Sequence, residues 1–537
     1  MSIGTYAALA PERPAVIDSG SGAIITYGEL NARSNRLAQH LYRIGLRRGD
    51  TIALFMENNP RFLEIVWATR RSGLYLTAVN RYLTPDEAAY IIDDCDAVLL
   101  LSSAARADVA ANLPAKLPRC RHYLMTDGTI DGWDSYEAAV ASCPAAPLPD
   151  EWLGDIMLYS SGTTGRPKGV RRPLRPVRVD EDDVLAIFTR GYGFDTDTVY
   201  LSPAPMYHAA PLAFSVGAQS RGGTIVMMPR FDAEASLAAI ERYRITHSQF
   251  VPTMFVRMLK LPTEIRTRYD LSSHKLAIHA AAPCPVDVKR AMIEWWGPIL
   301  HEYYGGTEGN GMTRIDTAEW LAHPGSVGRP IIGVLHICDE AGNDLPPGEP
   351  GLIYFERDAM PFAYHKDPDR THAAQHPQHP NWSTLGDIGY VDADGYLYLT
   401  DRKAFMIISG GVNIYPQEIE GALALHPAVA DVAVIGVPHA EMGEEVKAVV
   451  QPAPGASPGV ELAAELAGYL RGRLAGFKIP RSFDFVPDLP RTPTGKLLKN
   501  EVKRLYGLRR RALRSWEQGT SQQAHIAGQP RQSGGRP

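Results

Sequence analysis

The chain has 537 residues, too many for one hydrophobic core, so two or more domains are expected. Hydrophobic residues make up 45% and charged residues 21%, an ordinary globular balance, and the formal net charge of -5 argues against nucleic acid or an anionic membrane as a bulk partner. The five cysteines, Cys95, Cys120, Cys143, Cys284 and Cys338, lack metal-ligand spacing and read as reduced, mostly buried thiols of a cytoplasmic protein. No apolar run approaches the ~18 residues of a membrane span. The start, Met1-Ser2-Ile3-Gly4-Thr5, lacks a signal-peptide layout, and the end, Gly534-Gly535-Arg536-Pro537, carries no peroxisomal address.

In chain order, Tyr27 to Ile44 reads as an amphipathic helix with Leu30, Leu37, Leu41 and Ile44 on one face. Strand-like Thr51 to Met56, helical Pro60 to Arg71, strand-like Leu74 to Val79, helical Asp86 to Asp94 and strand-like Ala97 to Leu101 follow. The rhythm returns with strand Thr224 to Met228, helix Ala233 to Tyr243, strands Ser248 to Val251 and Leu276 to Ala281, helix Val286 to Trp296 and strand Ile299 to Tyr303. This alternation predicts an α/β fold of parallel sheets covered by helices, with ligands at the strand ends. Gly395 to Thr400 alternates like an antiparallel strand, and a shorter α+β pattern follows. It comprises strand Phe405 to Ser409, helix Pro416 to Leu425, strands Val429 to Val437 and Glu445 to Val450, helix Glu461 to Leu474 and strand Ser482 to Val486. A domain boundary is expected near Asp401 to Lys403. The basic, then Gln/Ser/Gly-rich tail from about Leu508 reads as disordered.

The densest chemistry lies in Tyr159-Ser160-Ser161-Gly162-Thr163-Thr164-Gly165-Arg166-Pro167-Lys168-Gly169-Val170. Glycines let backbone approach a ligand, loop N–H groups and hydroxyls donate to anions, and a lysine suits phosphate. The pattern is not a P-loop, because Lys168 is followed by Gly169 and Val170 rather than Ser or Thr. Such a run alone also fits a flexible linker, but Pro167 stiffens it and strand-like residues flank it. Tyr303-Tyr304-Gly305-Gly306-Thr307-Glu308-Gly309 follows a strand. There Glu308 offers an oxygen ligand for Mg²⁺, Thr307 a hydroxyl for phosphate and Tyr304 a flat face for a base. In Gly386-Asp387 a carboxylate suits a ribose diol. Asp401-Arg402-Lys403 and the glycine loop Ser409-Gly410-Gly411-Val412-Asn413-Ile414-Tyr415-Pro416 come next, and Pro493-Thr494-Gly495-Lys496 presents a lysine from a rigid turn.

With these segments in order, the chain resembles the adenylate-forming superfamily of acyl-CoA synthetases, adenylation domains and beetle luciferases. It is most similar to the fatty-acid and aromatic-acid CoA ligases, over residues from about 5 to 505. The resemblance implies a large N-terminal ATP- and acyl-binding domain (1–400) with a small barrel-like subdomain. It also implies a small mobile α+β domain (401–507) hinged near 401–404, ahead of the tail (508–537). It implies ATP, Mg²⁺ and coenzyme A as cofactor and co-substrates and a two-step reaction, acyl-adenylate then thioester. Ser160, Ser161, Gly162, Thr163, Thr164, Gly165 and Lys168 match the phosphate loop, Glu308 the Mg²⁺ ligand and Thr307 the α-phosphate contact. Tyr304 matches the aromatic stacked on adenine, with Ala281, Ala282 and Pro283 on its other face, and Asp387 and Arg402 match the ribose binders. Lys496 matches the adenylation lysine, and Ser409, Gly410 and Gly411 the thiol channel. One departure is Ala404, where the family often carries a charged pivot residue.

Tyr207, His208, Phe250, Val251, Met254, Gly305 and Gly306 match the acyl pocket. His208 stands where amino-acid-activating relatives carry an aspartate, so an amine substrate would lack its counter-charge. A hydrophobic acid, whether fatty, aromatic or polycyclic, is expected. A carrier protein in place of CoA, or a catalytically dead binding relative, is the alternative. The resemblance leaves a homodimer open.

Overall fold

A computed structural model describes residues 2–160, 167–181, 184–402, 405–410, 412–439, 441–491 and 497–506, without the side chains of Asp401 and Arg402. The chain parts into two compact units, one ending at Thr400 and one beginning at Asp401. The basic tail, Lys403 and Ala404 of the expected hinge, Gly411 and Lys496 lie outside the described residues.

The first unit is built on two large sheets. In the six-stranded sheet Thr51–Phe55 runs between Ala97–Ser103 and Tyr75–Ala78, and all pairings are parallel. Every residue of Thr51–Phe55 is buried, which a parallel strand covered on both faces requires. The nine-stranded sheet runs Arg329–Ile332, Met312–Ile315, Leu300–Gly305, Leu276–His279, His247–Phe250, Val199–Ser202, Thr224–Met227, Pro14–Asp18, Ile24–Thr26. Its middle is parallel and its two edges antiparallel. A three-stranded antiparallel sheet and a four-stranded sheet of Val334–Cys338, Gly351–Glu356, Trp382–Val391 and Leu397–Arg402 complete the unit. The alternating α/β pattern and the barrel-like addition expected from sequence are both present.

Local chemistry accounts for the elements. Helix Tyr27–Arg43 starts at a capping box in which Thr26 accepts from Glu29 N–H and the Glu29 carboxylate accepts from Thr26 N–H. Its Leu30, Leu37 and Leu41 are fully buried. Helix Pro85–Asp94 repeats the device with Thr84 and Glu87. The strand expected to reach Ala281 stops at His279, because Ala281 takes a left-handed backbone (φ 76°) that breaks the ladder.

The segment after Leu300–Gly305 is locked by contact. A Cβ on Gly311 would overlap the fully buried ring of Phe355. Gly311→Ala is therefore expected to cost about 1–3 kcal/mol of unfolding free energy. Urea titration checks this, and an unchanged midpoint would contradict the packing.

In the second unit Val429–His439 and Gly443–Pro452 form a long antiparallel pair. Ser482–Phe485 joins Gly443–Pro452 in parallel, and helices Pro416–Leu423 and Val460–Arg471 bury Ile419, Leu423, Leu462, Leu466 and Leu470 in its core. Among the described residues no helix is long and apolar enough to cross a membrane. All five cysteines are free.

Candidate active site

Four neighbouring parallel strands, Val199–Ser202, His247–Phe250, Leu276–His279 and Leu300–Gly305, end on the same edge of the nine-stranded sheet. Their loops carry Tyr207 and His208, then Val251, then Ala281 to Pro283, then Gly306 to Glu308. The edge is where α/β sheets gather ligand-binding loops.

The segment read as a phosphate loop spans a hairpin. Leu158–Ser160 pairs with Lys168–Arg171, and Ser160 opposite Lys168 is the last pair before the loop. Ser161, Gly162, Thr163, Thr164 and Gly165 lie outside the described residues. The hairpin base is tied down from several sides. Tyr90 Oη donates to the Pro167 carbonyl at 3.3 Å, His365 N–H to the Gly169 carbonyl at 2.8 Å, and Tyr159 Oη to Asp94. Lys366 Nζ donates to Asp94 O at 2.7 Å and Asp96 Oδ1 at 2.8 Å, which fixes the adjoining chain.

One residue joins this hairpin to the Gly-Gly-Thr-Glu segment. Tyr364, paired with Val170, lies with its ring centroid 4.7 Å from Lys168 Nζ and donates its hydroxyl to Glu308 Oε1 at 3.0 Å. Glu308 is only 8% exposed. Gly309 turns the chain there with φ 66°, and its N–H donates to the Gly306 carbonyl at 3.1 Å. A side chain on Gly306 would run into Leu385 and approach Glu308 Oε2 to 3.0 Å. The glycine thus has a packing reason independent of acyl-pocket room. Sequence reasoning missed Tyr364, which sits in the two-residue strand Ala363–Tyr364 of a segment without periodicity.

The structure also unites Tyr304 and Asp387. Tyr304 Oη donates to Asp387 Oδ2 at 2.7 Å, and Asp387 is 8% exposed. Gly386, with φ 79°, makes the turn that presents this carboxylate, and its N–H donates to Thr384 Oγ1 at 3.0 Å. The two residues read separately as base and ribose contacts form one hydrogen-bonded unit. Arg402 ends strand Leu397–Arg402. Thr307 is half-buried in the turn that carries Glu308.

The acyl-pocket candidates do not all converge. Tyr207 is buried beside His208, ring centroids 4.5 Å apart, and burial holds its phenol well above the ordinary pKa. Its hydroxyl has no hydrogen-bond partner among the described residues. Tyr207 shares an apolar cluster with Tyr303, which Gln249 reaches at 3.5 Å. The next residue, Phe250, points to the opposite face of its strand and packs on Phe255 and Trp296 at 5.7 and 5.6 Å. Phe250 is therefore a core residue here, as the pleat dictates. Met254 is buried in helix Pro252–Leu259, which Val251 precedes. Gly305 sits with its Cβ position 3.2 Å from the Gly311 carbonyl.

In the second unit Ser409 closes strand Ile407–Ser409, and Gly410 turns the hairpin with φ 58°. Gly410 N–H donates to Met442 O at 2.9 Å, and a Cβ there would overlap the Met442 side chain. His323, Asp392 and Asp394 bring ligand atoms together elsewhere. Asp392 Oδ2 is already engaged by His323 at 3.0 Å and Tyr398 at 3.2 Å, so the group reads as a stabilised turn.

The arrangement is that of an adenylate-forming enzyme, a two-unit α/β chain in which Tyr364 joins Lys168 at the base of a hairpin to a buried glutamate. Residues 5–364 match the AMP-binding enzyme family and residues 418–496 match the AMP-binding enzyme C-terminal domain. The chain belongs to the AMP-binding enzyme family. It is 34% identical over 507 residues to a feruloyl-CoA synthase of Amycolatopsis sp, covering 93% of this chain and 97% of that protein. It is 31% identical to the fatty acid–[acyl-carrier-protein] ligase ScoC of Streptomyces coeruleorubidus, covering 92% of this chain and 93% of that one. Among solved structures it is similar to ATP-bound MatB from Rhodopseudomonas palustris, with a TM-score of 0.78 and 31% identity, covering 94% of this chain and 99% of that one.

Proposed function

We propose that this enzyme is an ATP-dependent, AMP-forming acid–CoA ligase that activates a hydrophobic carboxylic acid and passes it to coenzyme A. The observation that carries this reading is the grouping of Lys168, Tyr364 and Glu308, a hairpin cation and a buried carboxylate held by one tyrosine. Its chemistry answers the obstacle of the first step, in which a carboxylate must attack the α-phosphate of another anion. Preorganised cations and N–H dipoles aimed at the developing charge lower that barrier. Bound Mg²⁺ supplies charge neutralisation between phosphate oxygens, and a buried carboxylate of this kind fits it.

In this proposal the hairpin 160–168 and Lys168 hold the β- and γ-phosphates, Thr307 contacts the α-phosphate and Glu308 is the metal ligand. Asp387 and Arg402 take the ribose hydroxyls, and Tyr304 with Ala281 to Pro283 encloses the base. Lys496, from the mobile second domain (401–507), bridges the acid's carboxylate and the α-phosphate. The domain then turns about residues 401–404, and Ser409, Gly410 and Gly411 line the path of the thiol, which displaces AMP at the acyl carbon. Tyr207, His208, Val251 and Met254 border the acid. The names of the feruloyl-CoA synthase and of the carrier-protein ligase support a hydrophobic acid and leave two acceptors to compare. Free cysteines support a cytoplasmic site of action, and a homodimer is the assembly proposed, to be read by light scattering.

A panel of aliphatic, aromatic and polycyclic acids scored by pyrophosphate release with CoA present tests the reading. At least one hydrophobic acid is expected to stimulate release and yield a CoA thioester by mass spectrometry. Stimulation by a panel acid with no thioester would move the acceptor to a carrier protein. Tyr364→Phe removes the hydroxyl that orients Glu308 and is expected to raise the Mg²⁺ concentration for half-maximal rate about 10-fold. An unchanged Mg²⁺ dependence would remove Tyr364 from the site.

A further inference from the structure

The strand that carries Tyr304 and the helix that follows Ala281 to Pro283 share a charged pair that the scheme above does not use. Lys289, fully buried, sits in the first turn of helix Val286–Trp296 and donates to Glu302 Oε2 at 2.6 Å. Its ammonium also lies 4.9 Å from the ring of buried Trp320. Glu302 is 3% exposed and lies opposite His279 in the strand register, with His279 Nε2 3.6 Å from the same oxygen. Burial lowers the His279 pKa and favours the neutral ring, so the close polar partner of Glu302 is Lys289.

The connectivity gives this pair a consequence. His279 is the last residue of its strand, and Pro285 is the N-cap of the helix that carries Lys289. Both ends of the intervening stretch, residues 280–285, are thus referred to one carboxylate. That stretch contains Ala281 in a left-handed conformation, φ 76°, without the help of glycine. Such a conformation persists only where its surroundings over-determine it. Glu302 also lies two residues before Tyr304 on the same strand, and alternation puts the two side chains on one face. The carboxylate therefore fixes the turn and the tyrosine relative to each other.

We infer that the buried Lys289–Glu302 ion pair is a positioning device for the nucleotide base, setting the spacing between Tyr304 and the Ala281–Pro283 turn and hence the affinity for ATP. This rests on the ligase reading above. The pair touches no reacting atom, so its loss acts on ATP binding rather than on chemistry at saturation. Removing one partner strands a buried charge, whereas replacing both by apolar groups of similar volume is often neutral for stability. The double variant Lys289→Met/Glu302→Leu therefore separates positioning from folding.

Steady-state kinetics on the wild type and the double variant, with the best acid of the panel, make the test. The double variant is expected to melt close to the wild type and keep kcat within about twofold. Its KM for ATP rises about 10-fold or more, with KM for the acid and CoA unchanged. Adding Ala281→Gly, which adopts positive φ freely, is expected to recover part of that loss. An ATP KM within twofold of wild type overturns the inference and leaves the pair as a stability element. If the double variant does not fold, Lys289→Met/Glu302→Gln, which also removes both charges but keeps the shape of residue 302, carries the same comparison. A selective rise in ATP KM supports the inference, and an unchanged or uniformly lowered activity overturns it. Should the wild type itself show no acid-dependent pyrophosphate release, the ligase reading fails first, and calorimetric ATP affinity of the same variants still decides whether the pair positions the base.

Discussion

Lys496→Ala is expected to lower acid-dependent pyrophosphate release by at least ~10²-fold, the scale for losing one preorganised contact to transition-state charge. The argument is electrostatic. The attacking carboxylate and the α-phosphate repel each other, and a cation bridging them is worth most when both charges converge. The second half-reaction has no such encounter, because a neutral acyl carbon meets a thiol. The variant given ready-made acyl-adenylate and CoA therefore still makes thioester at a rate near wild type. Rapid-quench measurement of both half-reactions checks this. Equal damage to both would mean that the lysine supports the fold or the nucleotide, and the proposed two-pose domain would lose its basis.

Glu308→Gln produces the second large effect. The substitution is isosteric, and the amide oxygen still accepts from the Tyr364 hydroxyl that now meets Oε1 at 3.0 Å. Folding is therefore preserved, and the charge that would bind Mg²⁺ is lost. Adenylation is expected to fall ~10²-fold or more, since metal and positioned dipoles carry most of the stabilisation in phosphoryl-type chemistry. Excess Mg²⁺ recovers part of the rate. ATP–pyrophosphate exchange measured against Mg²⁺ checks both points. A variant with normal exchange at low Mg²⁺ would move the metal elsewhere.

Elements with a strong local signal were legible. The periodicity of Leu30, Leu37 and Leu41 defines a helix whose observed start, Tyr27, is set by its capping box. The unbroken apolar run of Thr51–Phe55 defines a strand buried on both faces. Helix Ala209–Ser220 carried no such signal, because it is buried nearly all round and contains Pro211 and Gly217. Its position matters, since His208 directly precedes it. At the site, the residue types with fixed chemistry were readable in place, notably Glu308, Asp387 and Lys168. What joins them was not. Tyr364 lies 56 residues from Glu308, and Tyr304 lies 83 from Asp387, so only pairing of distant strands brings each hydroxyl to its carboxylate. Lys289 and Glu302 belong to residue types that are rarely fully buried unless paired, and only the contact between helix Val286–Trp296 and strand Leu300–Gly305 pairs them.

The most direct measurement follows one oxygen atom. An acid labelled with oxygen-18 in its carboxylate is incubated with the enzyme, ATP, Mg²⁺ and CoA, and the products are weighed by mass spectrometry. If the carboxylate attacks the α-phosphate and the thiol then cleaves the acyl C–O bond, each AMP carries one labelled oxygen and pyrophosphate carries none. Label in orthophosphate with ADP formed, or unlabelled AMP alongside the thioester, would contradict an acyl-adenylate route.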